Sequence, residues 1–251
     1  MAHLKDIVSW LDHELDVERV HDVAVNGLQV EGRSEVQRVV TGVSANLALL
    51  QAAVDRKADL VVVHHGLVWG GIQRITGPLR TRIRLVLEQE LSLAAYHLPL
   101  DMHPVHGNNA GLASSLELQD VQPFGLYKGQ LIGLRGQLAK PLPIAEVLAR
   151  IRSRIHDQAQ LLPGGEHPVH RVAVCSGGAA ELVWEAIEAG CDLFVSGEAT
   201  EFSPALAAEG RIHVVVAGHH ATERSGVQAL ARALQQHFGI PSEFVDIPNA
   251  L

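Results

Sequence analysis

Short apolar runs alternate with segments of helical spacing through much of this chain, and this alternation constrains the fold more than any other feature. Strands are predicted over 38–43, 59–63 and 91–96, with helices over 46–57 and 78–90 between them. Strands that alternate with helices form βαβ units and a largely parallel sheet. The chain is therefore predicted to be an α/β protein.

A second copy of this pattern begins near residue 171. It has predicted strands over 171–174, 191–195 and 212–216, and a helix over 179–189. Shifted by 133 positions, residues 38–66 align with this copy without a gap, so that Val39 meets Val172 and Asp59 meets Asp192. The alternative explanation of this alignment is that any two βαβ units share the same spacing of apolar residues. We predict two similar α/β domains related by a pseudo-repeat, over residues 1–124 and 125–251.

The composition limits the classes of partner and compartment. The 251 residues suffice for two domains of ordinary size. The net charge of −8, with no run of five Lys or Arg residues, argues against a nucleic-acid partner. Cys175 and Cys191 form no CxxC motif, which favours a reducing, cytoplasmic compartment. No apolar stretch approaches the ~18 residues of a membrane span, and no signal peptide is predicted.

Several of the 15 histidines lie where predicted strands end. The carboxyl ends of parallel strands are where open α/β sheets build their functional sites. Two of these strands are followed by a histidine and, four residues later, an acidic residue. The strand ends carry the following donors: His64 and His65 after 59–63, His97 and Asp101 after 91–96, and His219 and Glu223 after 212–216.

This donor set indicates a metal site. Nitrogen and carboxylate ligands without thiolate suit iron, zinc, manganese or nickel and disfavour calcium. Five ligands exceed the three that are usual for one catalytic zinc and match two metal ions bridged by a carboxylate, here Asp101 or Glu223. We predict two divalent metal ions per chain in the cleft between the halves, with a metal-bridging hydroxide as nucleophile. The predicted metal ligands are His64, His65, Asp101, His219 and Glu223.

Three further residues are candidates for catalytic roles, each with an alternative. Glu198 is either a general base or an acid at a helix N-terminus. His97 is either an additional ligand or a group that orients one. His220 is interpreted as an outer-shell or substrate-facing group. Similarly, Thr222 could cap a helix over 223–238, and Asn108 with Asn109 is predicted to cap a helix over 110–116.

Six ordered motifs resemble the NIF-three-like family, whose members are catalogued as GTP cyclohydrolase I type 2 homologues. The resemblance spans essentially the whole chain and is closest to the short bacterial form. It implies a two-domain α/β fold, a dinuclear metal centre in the cleft, a toroidal homohexamer, and metal ligation by the five residues named above. The motifs are Asn26-Gly27-Leu28-Gln29-Val30, Val63-His64-His65-Gly66, His97-Leu98-Pro99-Leu100-Asp101, Gly107-Asn108-Asn109, Ser196-Gly197-Glu198 and Gly218-His219-His220-Ala221-Thr222-Glu223.

Two functions follow as hypotheses. The first is a metal-dependent hydrolase of a nucleotide-like or other polar small molecule, similar to GTP cyclohydrolase I type 2, in which hydroxide attacks an electrophilic carbon or phosphorus. The second is a non-catalytic metal-binding scaffold or interaction protein, linked to DNA repair or stress resistance as some relatives are. Structural metal sites are closed by protein ligands, whereas catalytic sites keep positions for water.

Overall fold

The computed structural model describes residues 1–71 and 74–251, which form two α/β units, each assembled from separate chain segments. The first unit contains 1–100 and 226–248, and the second contains 101–225 and 249–251. The domains predicted from the sequence, 1–124 and 125–251, stay a prediction, and in this division His64 and His65 belong to the first unit and Asp101 to the second. The physical reason is long-range strand pairing, because the chain returns after residue 225 to complete the first sheet.

The first unit is built on a sheet with the strand order β13-β4-β5-β6-β2, and its three central strands run parallel. A small antiparallel ladder of β1 and β3 lies beside the first helix. The elements are β1 (Ala2–His3), α1 (Leu4–Glu14), β2 (Gly27–Val30), β3 (Glu35–Val36), β4 (Val39–Ser44), α2 (Leu47–Asp55), β5 (Leu60–His65), α3 (Gly77–Glu88), β6 (Ser92–Ala95), α10 (Arg224–Phe238) and β13 (Ser242–Phe244), with a short 3-10 helix at Val17–Arg19. α4 (Leu98–Met102) carries the chain from the first unit into the second.

Helices cover both faces of this first sheet. Ile7 of α1 and Leu230 of α10 pack against one face, while Leu50 of α2 and Val86 of α3 pack against the other. Side chains alternate between the faces of a strand, so a strand buried on both sides reads as the continuous apolar run that predicted it. The predicted strands and helices of this half are confirmed, with ends shifted by one or two residues.

The second unit is built on a sheet with the strand order β7-β8-β10-β11-β12-β9, in which β10, β11 and β12 run parallel. Its apolar core also occupies both faces, under α5 and α6 on one side and α7 and α8 on the other. The elements are α5 (Asn108–Leu116), β7 (Gln119–Tyr127), β8 (Gln130–Leu142), α6 (Ile144–Arg154), β9 (Gln160–Leu162), β10 (Val169–Cys175), α7 (Val183–Glu188), β11 (Leu193–Ser196), α8 (Ser203–Glu209), β12 (His213–Val216) and α9 (His219–Thr222), with a 3-10 helix at Ala180–Leu182.

Among the described residues, no helix is both long and apolar enough to cross a membrane.

The two units keep the 133-residue offset in their strand registers. Val39 pairs with Leu60 in the first sheet, and Val172 pairs with Leu193 in the second. The third strands follow a different offset, because Leu60 pairs with Ser92 whereas Leu193 pairs with His213. Consequently His97 corresponds to Gly218, and the two His-x-x-x-acid elements are displaced by one residue rather than equivalent.

The aligned aspartates make the same hydrogen bonds in both units. Asp59 Oδ2 accepts hydrogen bonds from the backbone N–H groups of Gln37 and Arg38, at 2.8 and 3.2 Å. Asp192 Oδ2 accepts from His170 and Arg171, at 3.0 and 2.7 Å. Each carboxylate thereby fixes the start of the first parallel strand against the second.

We expect Asp59→Ala to lower the free energy of unfolding by about 2–4 kcal/mol, because two backbone N–H groups lose a charged acceptor. Chemical denaturation measures the change. Asp55→Ala is the matched control, since Asp55 is exposed at the end of α2, and should change the same quantity by no more than about 0.5 kcal/mol. Equal effects of the two substitutions would contradict the structural role of Asp59.

Candidate metal centre

Three histidine rings converge at the carboxyl ends of β5 and β6 in the first unit. The ring centroids of His64 and His65 are 4.6 Å apart, and that of His97 lies 5.0 Å from His64 and 5.7 Å from His65. One ligand-capable nitrogen of each ring lies within 4.8 Å of the others. His64 is completely buried because it ends an internal strand. The geometry can hold a metal ion.

Hydrogen bonds at Nδ1 fix the orientation of all three rings. His64 Nδ1 lies 2.9 Å from the carbonyl oxygen of Tyr96, which can only accept, so Nδ1 carries the hydrogen and Nε2 presents a lone pair. His97 Nδ1 lies 3.0 Å from both carboxylate oxygens of Asp22. His65 Nδ1 lies 3.1 Å from Ser44 Oγ. Such partners at the second nitrogen are typical of metal-binding histidines.

Asp22 is the buried anchor of His97. Its side chain is 2 % exposed, and its carboxylate also accepts hydrogen bonds from Asn26 Nδ2 and from the backbone N–H of Leu98. Burial raises the pKa of Asp22, but the hydrogen bonds and the charge of His97 outweigh it and hold the pKa well below its usual range. Asn26 Oδ1 accepts the backbone N–H of His97 at 2.7 Å. Asp22 is therefore a carboxylate that fixes the His97 ring and the turn beneath it.

In the second unit, Asp101 is buried and held by two donors. Ser176 Oγ donates to Asp101 Oδ1 at 2.7 Å, and Asn108 Nδ2 donates to the same oxygen at 2.9 Å. Asn109 Oδ1 accepts the backbone N–H of Ser176, so Asn109 braces the same strand end. These contacts orient the carboxylate at the carboxyl end of β10.

His219 lies between two carboxylates of the second unit. Its Nε2 is 3.1 Å from Glu223 Oε1, and its Nδ1 is 2.6 Å from Glu198 Oε1. The hydrogen bond with Glu223 raises the pKa of His219, burial opposes this, and the charges of Glu223 and Glu198 add to it, giving a pKa of about 9. Glu223 is 3 % exposed, whereas the Glu198 side chain is half exposed. Of these two carboxylates, Glu223 is therefore the one that offers a buried oxygen atom to a metal ion.

Tight backbone turns around Gly177 hold His219 and Glu223. Gly177 has a φ of +65°, and a Cβ at this position would collide with Glu223 Oε1 and lie 3.3 Å from His219 Nε2. The Gly177 N–H donates to Thr222 Oγ1, whose hydroxyl lies 2.9 Å from the Gly218 carbonyl oxygen. Thr222 therefore fixes this turn, and α10 starts only after it, at Arg224.

The buried thiol of Cys175 lies close to the carboxylates of Asp101 and Glu223. Burial raises the pKa of Cys175 well above its ordinary value, and the negative charges of Asp101 and Glu223 raise it further. The side chain is thus a neutral thiol rather than a thiolate. The donor set at this strand end remains imidazole and carboxylate, which suits a divalent transition metal.

Comparison with known proteins gives the family. Residues 2–249 match the family model described as Duf34/NIF3 (NGG1p interacting factor 3). The chain belongs to the DUF34/NIF3 family. It is 42 % identical over 247 residues to a protein named GTP cyclohydrolase 1 type 2 homolog from Pseudomonas aeruginosa, with 98 % of each chain covered. It is 41 % identical to the protein of the same name from Archaeoglobus fulgidus, with 99 % of this chain and all of that one covered.

Solved structures of relatives share this fold over the full chain. A structure titled protein ybgI, of unknown function, has a TM-score of 0.92 at 37 % identity, with both chains fully covered. The structure of TTHA1606 from Thermus thermophilus has a TM-score of 0.91 at 34 % identity, again with full coverage of both chains. The sequence-based family resemblance is confirmed, as is the α/β fold class.

The structure groups most of the predicted site residues of this DUF34/NIF3 chain within its two units. His64, His65 and His97 meet in the first, and His219, Glu198 and Glu223 meet in the second. Asp101 lies at the end of β10 in the second unit, where Ser176 and Asn108 donate hydrogen bonds to it. His220 is 9 % exposed, and its backbone N–H donates to the Leu251 carbonyl oxygen.

Sequence reasoning missed the residues that orient the ligands. Asp22 and Ser176 carry no motif of their own, since their roles depend on contacts 75 residues away in both cases. Asn108 and Asn109 were predicted as helix caps, but Gly107 is the N-cap, and both side chains are buried against the ligand scaffold. Their occurrence in a motif of the DUF34/NIF3 family was the signal that could have identified them.

Proposed function

We propose that this protein is a metal-dependent hydrolase that acts on a nucleotide-like or other polar small molecule. The five proposed ligands are His64, His65, Asp101, His219 and Glu223, which would together hold two divalent ions. The proposal rests on the preorganisation of the proposed metal ligands, whose side chains are already held in place by hydrogen bonds in both units. The names of the relatives, GTP cyclohydrolase 1 type 2 homologs, support a nucleotide-like substrate.

The chemistry of the donors selects the class of metal. Imidazole nitrogens and carboxylate oxygens favour iron, zinc, manganese or nickel. When bound, such ions act as Lewis acids and lower the pKa of coordinated water toward ~7. The chain contributes the orientation: Tyr96 keeps the hydrogen of His64 on Nδ1, and Ser176 with Asn108 points the carboxylate of Asp101.

We propose His97 and Glu198 for proton transfer and orientation at the site, and His220 for a supporting role beside His219. Asp22 holds the hydrogen of His97 on Nδ1, so Nε2 is the atom that would accept a proton or bind a metal ion. Glu198 is half exposed and contacts His219 Nδ1, which suits it to orient that ring and to exchange protons with solvent. His220 is nearly buried, so its contribution would be to the packing around its neighbour His219.

We expect Asp22→Asn to weaken metal affinity about 10–100-fold, because an amide holds the His97 ring less firmly than a carboxylate does. Competition with a chromogenic chelator measures the affinity. Asp16→Asn is the control, since Asp16 is exposed and its ion pair with Arg19 lies at the surface. If metal affinity is unchanged while hydrolysis falls, His97 transfers protons and is not a ligand.

The decisive experiment combines metal analysis of the purified protein with a hydrolase screen. We expect two divalent ions per chain and hydrolysis of a nucleotide-like compound that disappears in His64→Ala and in Glu223→Ala. His13→Ala, a change at an exposed histidine of α1, should retain both properties. Fewer than one ion per chain at saturation would refute the dinuclear site. Metal binding without hydrolysis that depends on these residues would support the scaffold function instead.

We further propose, from the family resemblance, a cytoplasmic protein that assembles as a toroidal homohexamer. Light scattering of the purified protein should then give a mass six times that of one chain. A monomeric or dimeric mass across the micromolar range would contradict the hexamer. It would leave the metal proposal intact, because the latter rests on contacts within single units.

A further inference from the structure

A cavity of about 230 Å³ lies on the second unit, beside the ladder of β7, β8 and β10. Two guanidinium groups line it, together with two amides, one carboxylate and one thiol. The cavity is open to solvent, since Asp120, Gln122, Arg135 and Arg171 are exposed, and its volume is below the ~300–1,000 Å³ of pockets for drug-sized ligands, which suits a small ligand group. The residues used below are Arg135, Arg171, Gln122, Gln137, Asp120 and Cys191.

Strand register brings the two arginines to one face of the sheet. Arg171 of β10 pairs with Gln137 of β8, and Arg135 lies two residues from Gln137 on the same strand. Residues two apart on a strand point to the same side. Burial raises the pKa of the Cys191 thiol, and the charges of both arginines oppose this, so both positive charges reach the wall of the cavity.

The carboxylates near these arginines are already engaged. Gln137 donates its amide to Asp120. Asp192 lies 3.7 Å from Arg171 and accepts two backbone N–H groups through its other oxygen. Within residues 1–71 and 74–251, no ion pair involves Arg135. Of the charged groups lining the cavity, two are positive and one is negative.

The first unit has a carboxylate at the corresponding place. Arg38 aligns with Arg171 at the 133-residue offset, and β13 lies beside β4 as β8 lies beside β10, although β13 is parallel and β8 antiparallel to its neighbour. From β13, Glu243 places its carboxylate 3.6 Å from Arg38 and 3.7 Å from Arg56. In the second unit, the strand at this place carries Arg135 instead of a carboxylate. The neighbouring strand therefore adds a second positive charge beside Arg171, where the first unit has a negative charge beside Arg38.

We propose that this cavity binds a phosphate group, either inorganic phosphate or the phosphoryl end of a small monoester. Guanidinium groups bind phosphate oxygens with paired, charge-assisted hydrogen bonds, and Arg135 and Arg171 lie on the same side of the sheet at the cavity wall. The Gln122 amide is a further donor at the cavity wall. The proposal is independent of the metal centre, since none of the proposed metal ligands lines the cavity.

Calorimetric titration of the full chain with inorganic phosphate, and separately with methyl phosphate, tests the proposal. We expect binding in the millimolar range or tighter, weakened at least about tenfold in Arg135→Gln and in Arg171→Gln. Arg135→Lys should retain part of the affinity, because it keeps the charge and loses the paired geometry. These substitutions leave the metal ligands intact, so phosphate bound to metal ions would not respond to them.

Arg38→Gln is the matched control. This substitution removes the aligned arginine of the first unit, and the variant should bind phosphate as the unmodified protein does. Binding of only one of the two probes identifies the source of the phosphoryl group and supports the site. The proposal is overturned if neither probe binds up to about 10 mM, if Arg135→Gln and Arg171→Gln bind normally, or if Arg38→Gln loses affinity equally.

Discussion

Removal of bound divalent metal with a chelator is expected to lower the free energy of unfolding by about 3–4 kcal/mol for each ion, relative to protein in 100- to 1,000-fold excess of metal over its dissociation constant. A ligand that binds only the folded state stabilises it by mass action. For a chain of this length, that change corresponds to a fall of roughly 6–16 °C in Tm. Thermal unfolding with and without chelator, at fixed pH, measures it.

Two variants test whether the stabilisation arises at the proposed ligands. In the double variant His64→Ala with Glu223→Ala, the chelator should no longer shift Tm, because each unit has lost a buried donor. His13→Ala should respond as the unmodified protein does. A metal-loaded protein whose Tm is insensitive to chelator would show that the ions do not bind the folded chain at these donors.

The second large effect is expected at Gly177, where Gly177→Ala should reduce metal affinity at least about tenfold. The new Cβ would occupy the space of Glu223 Oε1, so this carboxylate must move away from His219. The positive φ adds a cost of about 1 kcal/mol to folding. Chelator competition measures the affinity, and denaturation measures the stability.

Gly129→Ala separates the two contributions at Gly177. Gly129 has a φ of +85°, and a Cβ there would meet nothing within 4 Å. The substitution should therefore carry the conformational cost without any loss of metal affinity. Equal metal affinities in the two variants would argue that Glu223 is not a ligand, or that it reaches the metal from a different position.

The sequence was most informative where burial dictates composition. The run Leu60–Val63 predicts an internal strand because both of its faces need apolar side chains, and the histidines that follow it then lie at the functional edge of the sheet. The 133-residue offset of the sequence alignment also holds for the pairing of the first two parallel strands of each unit. Local pattern and tertiary structure agree at these positions.

The features that escaped prediction depend on residues far apart in the chain. The three residues of β13 have no distinctive pattern, yet they pair with β4 and bring residues 226–248 into the first unit. Asp22 resembles any acidic residue of a loop until the fold brings it to His97. Residue type and strand ends thus indicated the proposed ligands, whereas they did not indicate the groups that orient these side chains.

The division of the chain has a consequence for its synthesis on the ribosome. Domains generally fold as units, N-terminal first, while the chain is made. Here the second unit is almost continuous, and all but its last three residues have been translated once residue 225 is reached. The first unit lacks most of α10 and all of β13 until residues 226–248 are translated, although its other segment, 1–100, is made earlier. The second unit is consequently able to fold first, and the edge of β4 stays open to foreign strands until β13 is made.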